Sequence, residues 1–218
     1  MAEVRDVAVG VAHYLGKELQ LEVKDIDMVR FGTEVFLSLF VGVGVLVGVA
    51  WGLGILPYVM TAWFTLNGLR IISGGAHASS LFRCTMIGTI ILTGIGELAF
   101  RFGALASQEL LLSLLAFSVV AGVYVVYKWA PADTPAKPVV SPVKRARFRR
   151  LSYIFIAAWT FGMIVALIFW EGIPTITALA VASMGGFLRQ IFSITPAGYR
   201  FIAAVEILFD KCTFPFKP

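Results

Sequence analysis

One histidine and one cysteine, seven residues apart, are the side chains of this sequence best suited to covalent chemistry. His77 and Cys84 lie in a segment that also contains Arg70 and Arg83. A cysteine thiolate is a nucleophile, and a nearby imidazole can take the thiol proton and later return one to a departing amine. The two arginines would favour the thiolate over the thiol. The segment therefore predicts nucleophilic cysteine chemistry.

The spacing of this pair sets a condition on the backbone. In a straight helix, side chains seven residues apart lie on nearly one face but about 10.5 Å apart along the axis, beyond hydrogen-bond reach. The chain between His77 and Cys84 must therefore fold back. Gly74-Gly75 before the histidine and Ser79-Ser80 after it favour a bent entry into the next helix. Without that bend, the histidine is only a helix cap and the cysteine an inert, packed side chain.

Two other kinds of site have weaker support. A metal site needs three or four ligands, and we find only Asp133 or Glu97 as candidates to join the histidine and the cysteine. A nucleophile at Ser80 would lack the strand and elbow that activate a serine. We therefore expect neither a metal nor another cofactor.

The composition predicts the environment of these residues. Of the 218 residues, 59% are hydrophobic and 14% are charged, and the mean hydropathy is +0.87. Soluble domains are usually about half apolar and about a quarter charged. Two cysteines are too few for a disulfide framework. The chain is thus predicted to be an integral membrane protein.

Six hydrophobic segments are predicted to be spanning helices, although the segment 84–96 has 13 residues and spans only if Glu97 lies at the interface or inside the bundle. Such a helix needs about 20 apolar residues, and the charge-free run 35–69 can supply two, separated at Gly52, Gly54 and Pro57. The other four segments are 84–96, 110–127, 151–170 and 172–188.

The basic residues predict the orientation of these helices. With the N-terminus in the cytoplasm, 17 of the 18 Lys and Arg residues fall in the cytoplasmic segments, and Arg101 is the exception; these segments are 1–34, 70–83, 128–150 and 189–218. Positive charge concentrates on cytoplasmic loops. The net charge of +5 is then explained by topology and anionic lipid, and we expect no nucleic-acid partner.

These patterns divide the chain into three parts. Residues 1–34 contain an amphipathic cytoplasmic helix, residues 35–188 form an all-α, six-helix transmembrane domain, and residues 189–218 are a cytoplasmic C-terminal tail. The apolar stripe of the first helix comprises Val4, Val7, Ala8, Val11, Leu15 and Leu19. In the first span, Gly44, Gly48 and Gly52 form a small-residue stripe that suits close packing, either within the chain or between two copies.

Two motifs resemble the accessory gene regulator B family. The first is Arg70, Gly75-x-His77-Ala and Cys84, and the second is the sequence Ala-Pro-Ala-Asp-Thr-Pro-x-Lys-Pro at 130–138. Both occur in the expected order, together with the N-terminal helix and six hydrophobic segments. The resemblance implies a multi-pass cysteine endopeptidase of bacterial quorum sensing, located in the cytoplasmic membrane and acting as a homodimer.

The resemblance also implies a reaction. The substrate would be a peptide precursor of the accessory gene regulator D type, with an amphipathic leader, a central signal segment and an acidic tail. Cys84 would attack the bond between signal segment and tail while His77 moves the proton. A Cys or Ser of the signal segment would then attack the acyl-enzyme thioester, releasing a thiolactone or lactone autoinducing peptide.

Four further residues are candidates for binding or orienting the substrate. Arg70 lies within the first motif and could hold the acidic tail, and Gly75 would serve a backbone turn. Asp133 could orient His77, as the acidic member of a triad does. The fourth candidate is Ser80.

Two alternative functions remain open at this point. In a small helical-bundle transporter, Glu97 would matter and Cys84 would not, because an acidic residue within an apolar stretch is costly and often functional. Glu97 could also simply pair with Arg101, one helical turn further on. The other alternative is a non-catalytic membrane protein that only binds a peptide.

Overall fold

The computed structural model describes residues 2–78, 80–132, 141–169 and 172–212. The helices are, in chain order, α1 (Ala2–Glu18), α2 (Val23–Gly52), α3 (Leu56–Ser73), α4 (Leu81–Phe102), α5 (Gln108–Trp129), α6 (Pro142–Phe169), α7 (Pro174–Ile194) and α8 (Pro196–Cys212). A short 3-10 helix, Gly103–Leu105, follows α4. The part of the chain that is described contains no strand, which confirms the all-α class.

Five of these helices are long and apolar enough to cross a membrane. They are α2, α4 with the 3-10 turn that extends it, α5, α6 and α7, counted over the described residues. Each overlaps one of the six predicted segments. The remaining predicted segment, which is the second in chain order, forms α3. In this helix Asn67 and Arg70 lower the apolar content. Exposed rings such as those of Phe40 and Trp51, 74% and 77% accessible, suit a surface that faces lipid.

The break between α2 and α3 lies where the glycines and the proline predict it. Helix α2 ends at Gly52, Gly54 has φ +71°, and Pro57 stands in the first turn of α3. Glycine adopts that left-handed conformation without steric cost, and proline is compatible with a first helical turn.

Two predicted boundaries differ in the structure. The second cytoplasmic loop was expected to extend to residue 150, but α6 already begins at Pro142, because a proline is tolerated at a helix start. The basic run Lys144–Arg150 is therefore helical. Similarly, α7 continues to Ile194, so that Arg189 belongs to a helix rather than to a tail.

The chain divides into two compact units, Met1–Val49 and Ala50–Pro218. In the first unit, Ile26 packs so closely on Gly16 that a Cβ there would lie 2.7 Å from the isoleucine side chain. Within the predicted apolar stripe of α1, Ala8 is buried but Val7 and Leu19 are exposed. The helix is present, and its amphipathic role stays a prediction.

In the second unit, α7 is the central helix and packs against α3, α4, α5, α6 and α8. A Cβ on Gly186 of α7 would lie 2.2 Å from the carbonyl oxygen of Ala62 on α3, so only glycine allows this approach. The next residue, Phe187, is stacked on Trp159 of α6 with ring centroids 4.2 Å apart. Helix α7 therefore positions the two helices, α3 and α4, that flank the candidate chemistry.

Candidate active site

His77 and Cys84 lie on two different local structures. His77 is in the non-helical segment that follows α3, whereas Cys84 is in the first turn of α4. The segment begins with Gly74 at φ +69° and Gly75 at φ +138°. The chain between the histidine and the cysteine is therefore not a straight helix, which removes the geometric objection to their pairing.

Ser80 caps the helix that carries the cysteine. Its Oγ accepts a hydrogen bond from the backbone N–H of Arg83 at 3.3 Å, and its carbonyl accepts one from the N–H of Cys84 at 2.9 Å. This cap satisfies donors at a helix start and places Cys84 at the positive end of the helix dipole. The structure thus places Ser80 at the N-cap of α4, and its role towards the substrate stays a prediction.

The end of α7 clamps the segment in front of His77. Gln190 is completely buried, and its Nε2 donates to Ser73 Oγ at 3.0 Å and to the Gly74 carbonyl at 2.7 Å. The N–H of Ala76 donates to the carbonyl of Ser193 at 2.9 Å. Three hydrogen bonds between this end of α7 and residues 73–76 therefore hold the backbone that leads to the histidine.

Gly75 is required by the backbone itself. Its φ of +138° is strained for any residue with a side chain. A Cβ there would also lie 2.5 Å from Ser193 Oγ. The position thus needs a glycine for both its conformation and its proximity to α7.

The start of the second motif lies against the first. The N–H of Ala132 donates to the Ser73 carbonyl at 2.8 Å, and Gly74 and Ala132 form a single parallel bridge. Arg149 of α6 donates through Nε to the Ala130 carbonyl at 2.9 Å. The start of the second motif is thus adjacent in space to the first. Asp133, the candidate to orient the histidine, lies outside the described residues.

Arg70 reaches from the last turn of α3 across the same segment. Its Nη2 donates to the Ala76 carbonyl at 2.6 Å, and its Nη1 lies 3.5 Å from Gln190 Oε1. A charge-assisted hydrogen bond to a backbone carbonyl is stronger than a neutral one. Arg70 therefore braces the residue next to His77.

A second arginine, Arg189 of α7, lies beside the first. Arg70 and Arg189 line one cavity of about 230 Å³, and each interacts electrostatically with Cys84 and with His77. The Nε atom of Arg189 is buried and has no hydrogen-bond partner within the described part of the chain.

The surroundings of His77 disfavour its protonated form. His77 is exposed, yet neighbouring groups desolvate its ring, and this desolvation, followed by the charges of Arg70 and Arg189, lowers the pKa of His77 to about 4. The imidazole is therefore neutral at neutral pH, the state in which it can accept a proton.

Several predicted candidates lie away from this cluster or have other partners. Glu97 forms an ion pair with Arg101 near the C-terminal end of α4. Arg83, which the sequence associated with the cysteine, pairs instead with Asp210 of α8 and lies 5.9 Å from the Phe209 ring. Over the residues described, no group of three His, Cys, Asp or Glu side chains is placed to hold a metal.

Sequence reasoning missed Arg189, Gln190 and Ser193. The charge of Arg189 was used to end a span, which moved all three residues into a presumed tail. The available signal was the polar Arg-Gln pair between apolar residues, because ionisable side chains near a membrane interior are costly and often functional.

The chain is similar in sequence to several bacterial proteins. A family model described as accessory gene regulator B matches residues 8–194. AgrB-like protein 2 of Clostridium perfringens strain 13 is 23% identical over 95% of this chain and 99% of its own length. The AgrB-like protein of C. perfringens strain SM101 is 23% identical over 92% and 95%, and that of Listeria innocua is 27% identical over 80% and 78%. No solved structure matches the chain.

The family match covers most of the chain, including both motifs up to the end of α7. Together with the five apolar helices, it identifies a multi-pass membrane protein. The chain belongs to the accessory gene regulator B family, which is linked to the processing of quorum-sensing peptides.

Proposed function

We propose that this chain is a membrane cysteine endopeptidase in which Cys84 is the nucleophile and His77 is the proton acceptor. The observation that carries the proposal is the placement of these residues: His77 in a clamped, non-helical segment and Cys84 in the next helical turn, both interacting with Arg70 and Arg189. Family membership supports the same function.

The first half of the reaction forms a thioester. Cys84 Sγ attacks the carbonyl carbon of the scissile peptide bond, and His77 takes the thiol proton. When the tetrahedral intermediate collapses, the carbon–nitrogen bond breaks and His77 gives that proton to the departing amine. The C-terminal tail leaves, and the rest of the precursor stays bound to Cys84.

The second half closes a ring. A thiol or hydroxyl of the signal segment attacks the thioester carbonyl while His77 takes its proton. The carbon–sulfur bond to Cys84 breaks, and His77 gives that proton to the departing sulfur. The product is a thiolactone or lactone. Water would hydrolyse the thioester instead, so a site with apolar walls favours ring closure; Ile91 and Phe201 line the adjoining cavity.

The supporting residues have three different roles in this mechanism. Gly75 and Ser80 shape the backbone around His77 and Cys84, as their contacts indicate. Arg70 braces Ala76 and faces the cavity where a substrate would lie. We assign the orientation of the His77 ring to Asp133.

The same proposal includes the membrane topology and the assembly. We propose that α3 is the sixth span, although it is less apolar than the others, and that both termini are cytoplasmic. The precursor of the accessory gene regulator D type would approach from the inner leaflet. A homodimer is supported by Gly44 and Gly48, where an added Cβ would meet nothing within 4 Å among the described residues.

The test is cleavage of such a precursor in proteoliposomes. We expect the wild type to release the tail and to carry the acyl group on Cys84, both seen by mass spectrometry. Cys84→Ser and His77→Ala should each lower the rate by about a thousandfold or more while the protein still inserts. Glu97→Gln is the matched control, because it changes an ionisable residue of the same helix.

Two outcomes would contradict the proposal. Equal cleavage by wild type, Cys84→Ser and His77→Ala would exclude the pair from the chemistry. Precursor binding without any cleavage by well-folded protein would indicate a peptide-binding protein. A defect confined to Glu97→Gln would favour transport.

A further inference from the structure

A cavity of about 230 Å³ lies next to the candidate active site and has two unlike walls. Arg70 of α3 and Arg189 of α7 supply the positive wall. The apolar wall consists of Ile91 of α4 together with Phe192, Phe201 and Ile202 of α7 and α8. The volume is below the roughly 300–1,000 Å³ of small-molecule sites, so it suits one or two side chains rather than a large ligand.

The positive wall has no carboxylate partner among the described residues. The ion pairs found there do not include Arg70 or Arg189. Cys84 interacts with both arginines, but the hydrogen bonds of Arg70 go to neutral oxygens, those of Ala76 and Gln190. The buried Nε of Arg189 has no hydrogen-bond partner there. Two half-buried like charges without a carboxylate are costly, since each has lost part of its hydration.

The shape of the guanidinium group indicates the missing ligand. Arginine presents N–H donors in a planar fork that matches the two oxygens of a carboxylate. The apolar wall opposite would accommodate the hydrocarbon part of the same residue or its neighbour. Ala76, which precedes His77, also lines this cavity, so a ligand held there lies beside the candidate proton acceptor.

We propose that this cavity binds a carboxylate-bearing residue of the peptide substrate, with Arg189 as the residue that selects for it and Arg70 as its partner. The inference rests on the proposed function, because that function makes a peptide the substrate. It adds a binding subsite and a specificity residue, Arg189, that the motifs do not contain. Binding involves no covalent step.

The experiment measures binding of a labelled precursor of the accessory gene regulator D type to the full chain. The protein carries Cys84→Ala to prevent turnover and is held in phosphatidylcholine nanodiscs. The Asp and Glu residues of the precursor are converted to Asn and Gln one at a time. We expect one of these changes to weaken binding about tenfold or more, as for a lost charge-assisted hydrogen bond.

The arginine variants connect that carboxylate to the cavity. Arg189→Gln should weaken binding by a similar factor and should make it insensitive to the same carboxylate change. Arg189→Lys, which keeps the charge but lacks the fork, should retain part of the preference. Arg200→Gln is the matched control, because Arg200 is exposed on α8 and is not part of the cavity wall.

Three results would overturn the proposal. The first is equal binding of the acidic and amide precursors to the Cys84→Ala protein, a comparison that does not depend on how Arg189→Gln folds. The second is additivity between Arg189→Gln and the carboxylate change, since contacting groups are non-additive. The third is competition by phosphatidylglycerol with no carboxylate preference, which would identify a lipid phosphate as the anion.

The outcome separates this inference from the proposed function. Cys84-dependent cleavage without any carboxylate preference would leave the peptidase intact and remove the subsite. An Arg189-dependent carboxylate preference in a protein that never cleaves would keep the subsite and remove the peptidase.

Discussion

The two ends of α4 show two ways in which this chain accommodates polar groups. At the first end, Cys84 lies near Arg70 and Arg189, which come from α3 and α7. At the other end, Glu97 pairs with Arg101 one turn away, with side chains 34% and 66% accessible. The first arrangement requires three helices to meet, whereas the second needs only one.

This difference separates a site from a local ion pair. A pair on one helix forms whenever the helix forms and contributes little when exposed. A cluster assembled from distant segments, with a buried amide and an unpartnered guanidinium nitrogen, costs free energy and is retained where it has a use. We therefore expect substitutions at the two ends to differ sharply.

Among substitutions that leave the proposed reacting groups in place, the largest effect is expected at Gly75. Gly75→Ala places a Cβ 2.5 Å from Ser193 Oγ at φ +138°, so the segment that carries His77 must move. We expect cleavage to fall by about a hundredfold, since displacing a reacting group by about 1 Å has that effect. Gly94→Ala on α4 meets nothing within 4 Å among the described residues and should leave cleavage unchanged. Equal rates for both variants would show that the clamped segment does not control catalysis.

A smaller effect is expected from Gln190→Ala. The variant leaves the Gly74 carbonyl and Ser73 Oγ without their buried amide partner, which costs about 1–3 kcal/mol. Thermal unfolding in detergent should show a lower midpoint, and cleavage should decrease because the segment is released. If the midpoint does not change, the amide is not what fixes the loop.

The charge environment of His77 can be read from its titration. Desolvation and the arginines of α3 and α7 disfavour its charged form, and the pKa of about 4 predicts a neutral ring at pH 6. Histidine NMR of the His13→Gln protein, which leaves only His77, should show this midpoint. Arg189→Gln should raise the pKa towards 6.5, because it removes a charge that opposes the imidazolium. A midpoint near 6.5 in both proteins would contradict the cluster.

The same shift has a consequence for stability. The unfolded chain protonates His77 near pH 6.5 and the folded chain only near pH 4. The stabilisation that comes from the neutral His77 ring is thus fully present above about pH 6.5 and is lost as the pH falls towards 4. Unfolding midpoints of wild type and His77→Gln should therefore converge or cross on acidification.

The smallest effect is expected at the C-terminal end of α4. Glu97→Gln removes one partner of an exposed pair, and such pairs contribute about 0–1 kcal/mol. The unfolding midpoint and the cleavage rate should stay close to those of wild type. A large loss of either quantity would mean that Glu97 has a role beyond the pair, and the contrast between the two ends of α4 would fail.

The sequence was sufficient for those features that depend on local composition. The charge-free runs predicted six spans, and five of the corresponding helices are long and apolar enough to cross a membrane over the described residues. Gly54 with Pro57 predicted the break between α2 and α3. A bend between His77 and Cys84 was predicted as a condition for their pairing. The described residues between α3 and α4 are non-helical, and the pairing itself stays a prediction.

What the sequence could not predict depends on packing between distant helices. Nothing near Gln190 indicates that its amide meets the end of α3, because that contact joins residues about 116 positions apart. The rotation of α7 about its axis decides whether Arg189 faces lipid or the cavity, and Gly186 against Ala62 sets that rotation. Periodicity within one helix does not contain this information.

Arg149 connects the basic run of α6 with the loop before His77. It lies within that run, and its Nε anchors the Ala130 carbonyl next to the Ser73–Gly74 backbone. The charge pattern of α6 and the structure of this loop thus draw on one side chain. During biogenesis, the loop can be completed only after α6 and then α7, which supplies Gln190 and Ser193, have been synthesised, so the candidate site is assembled late.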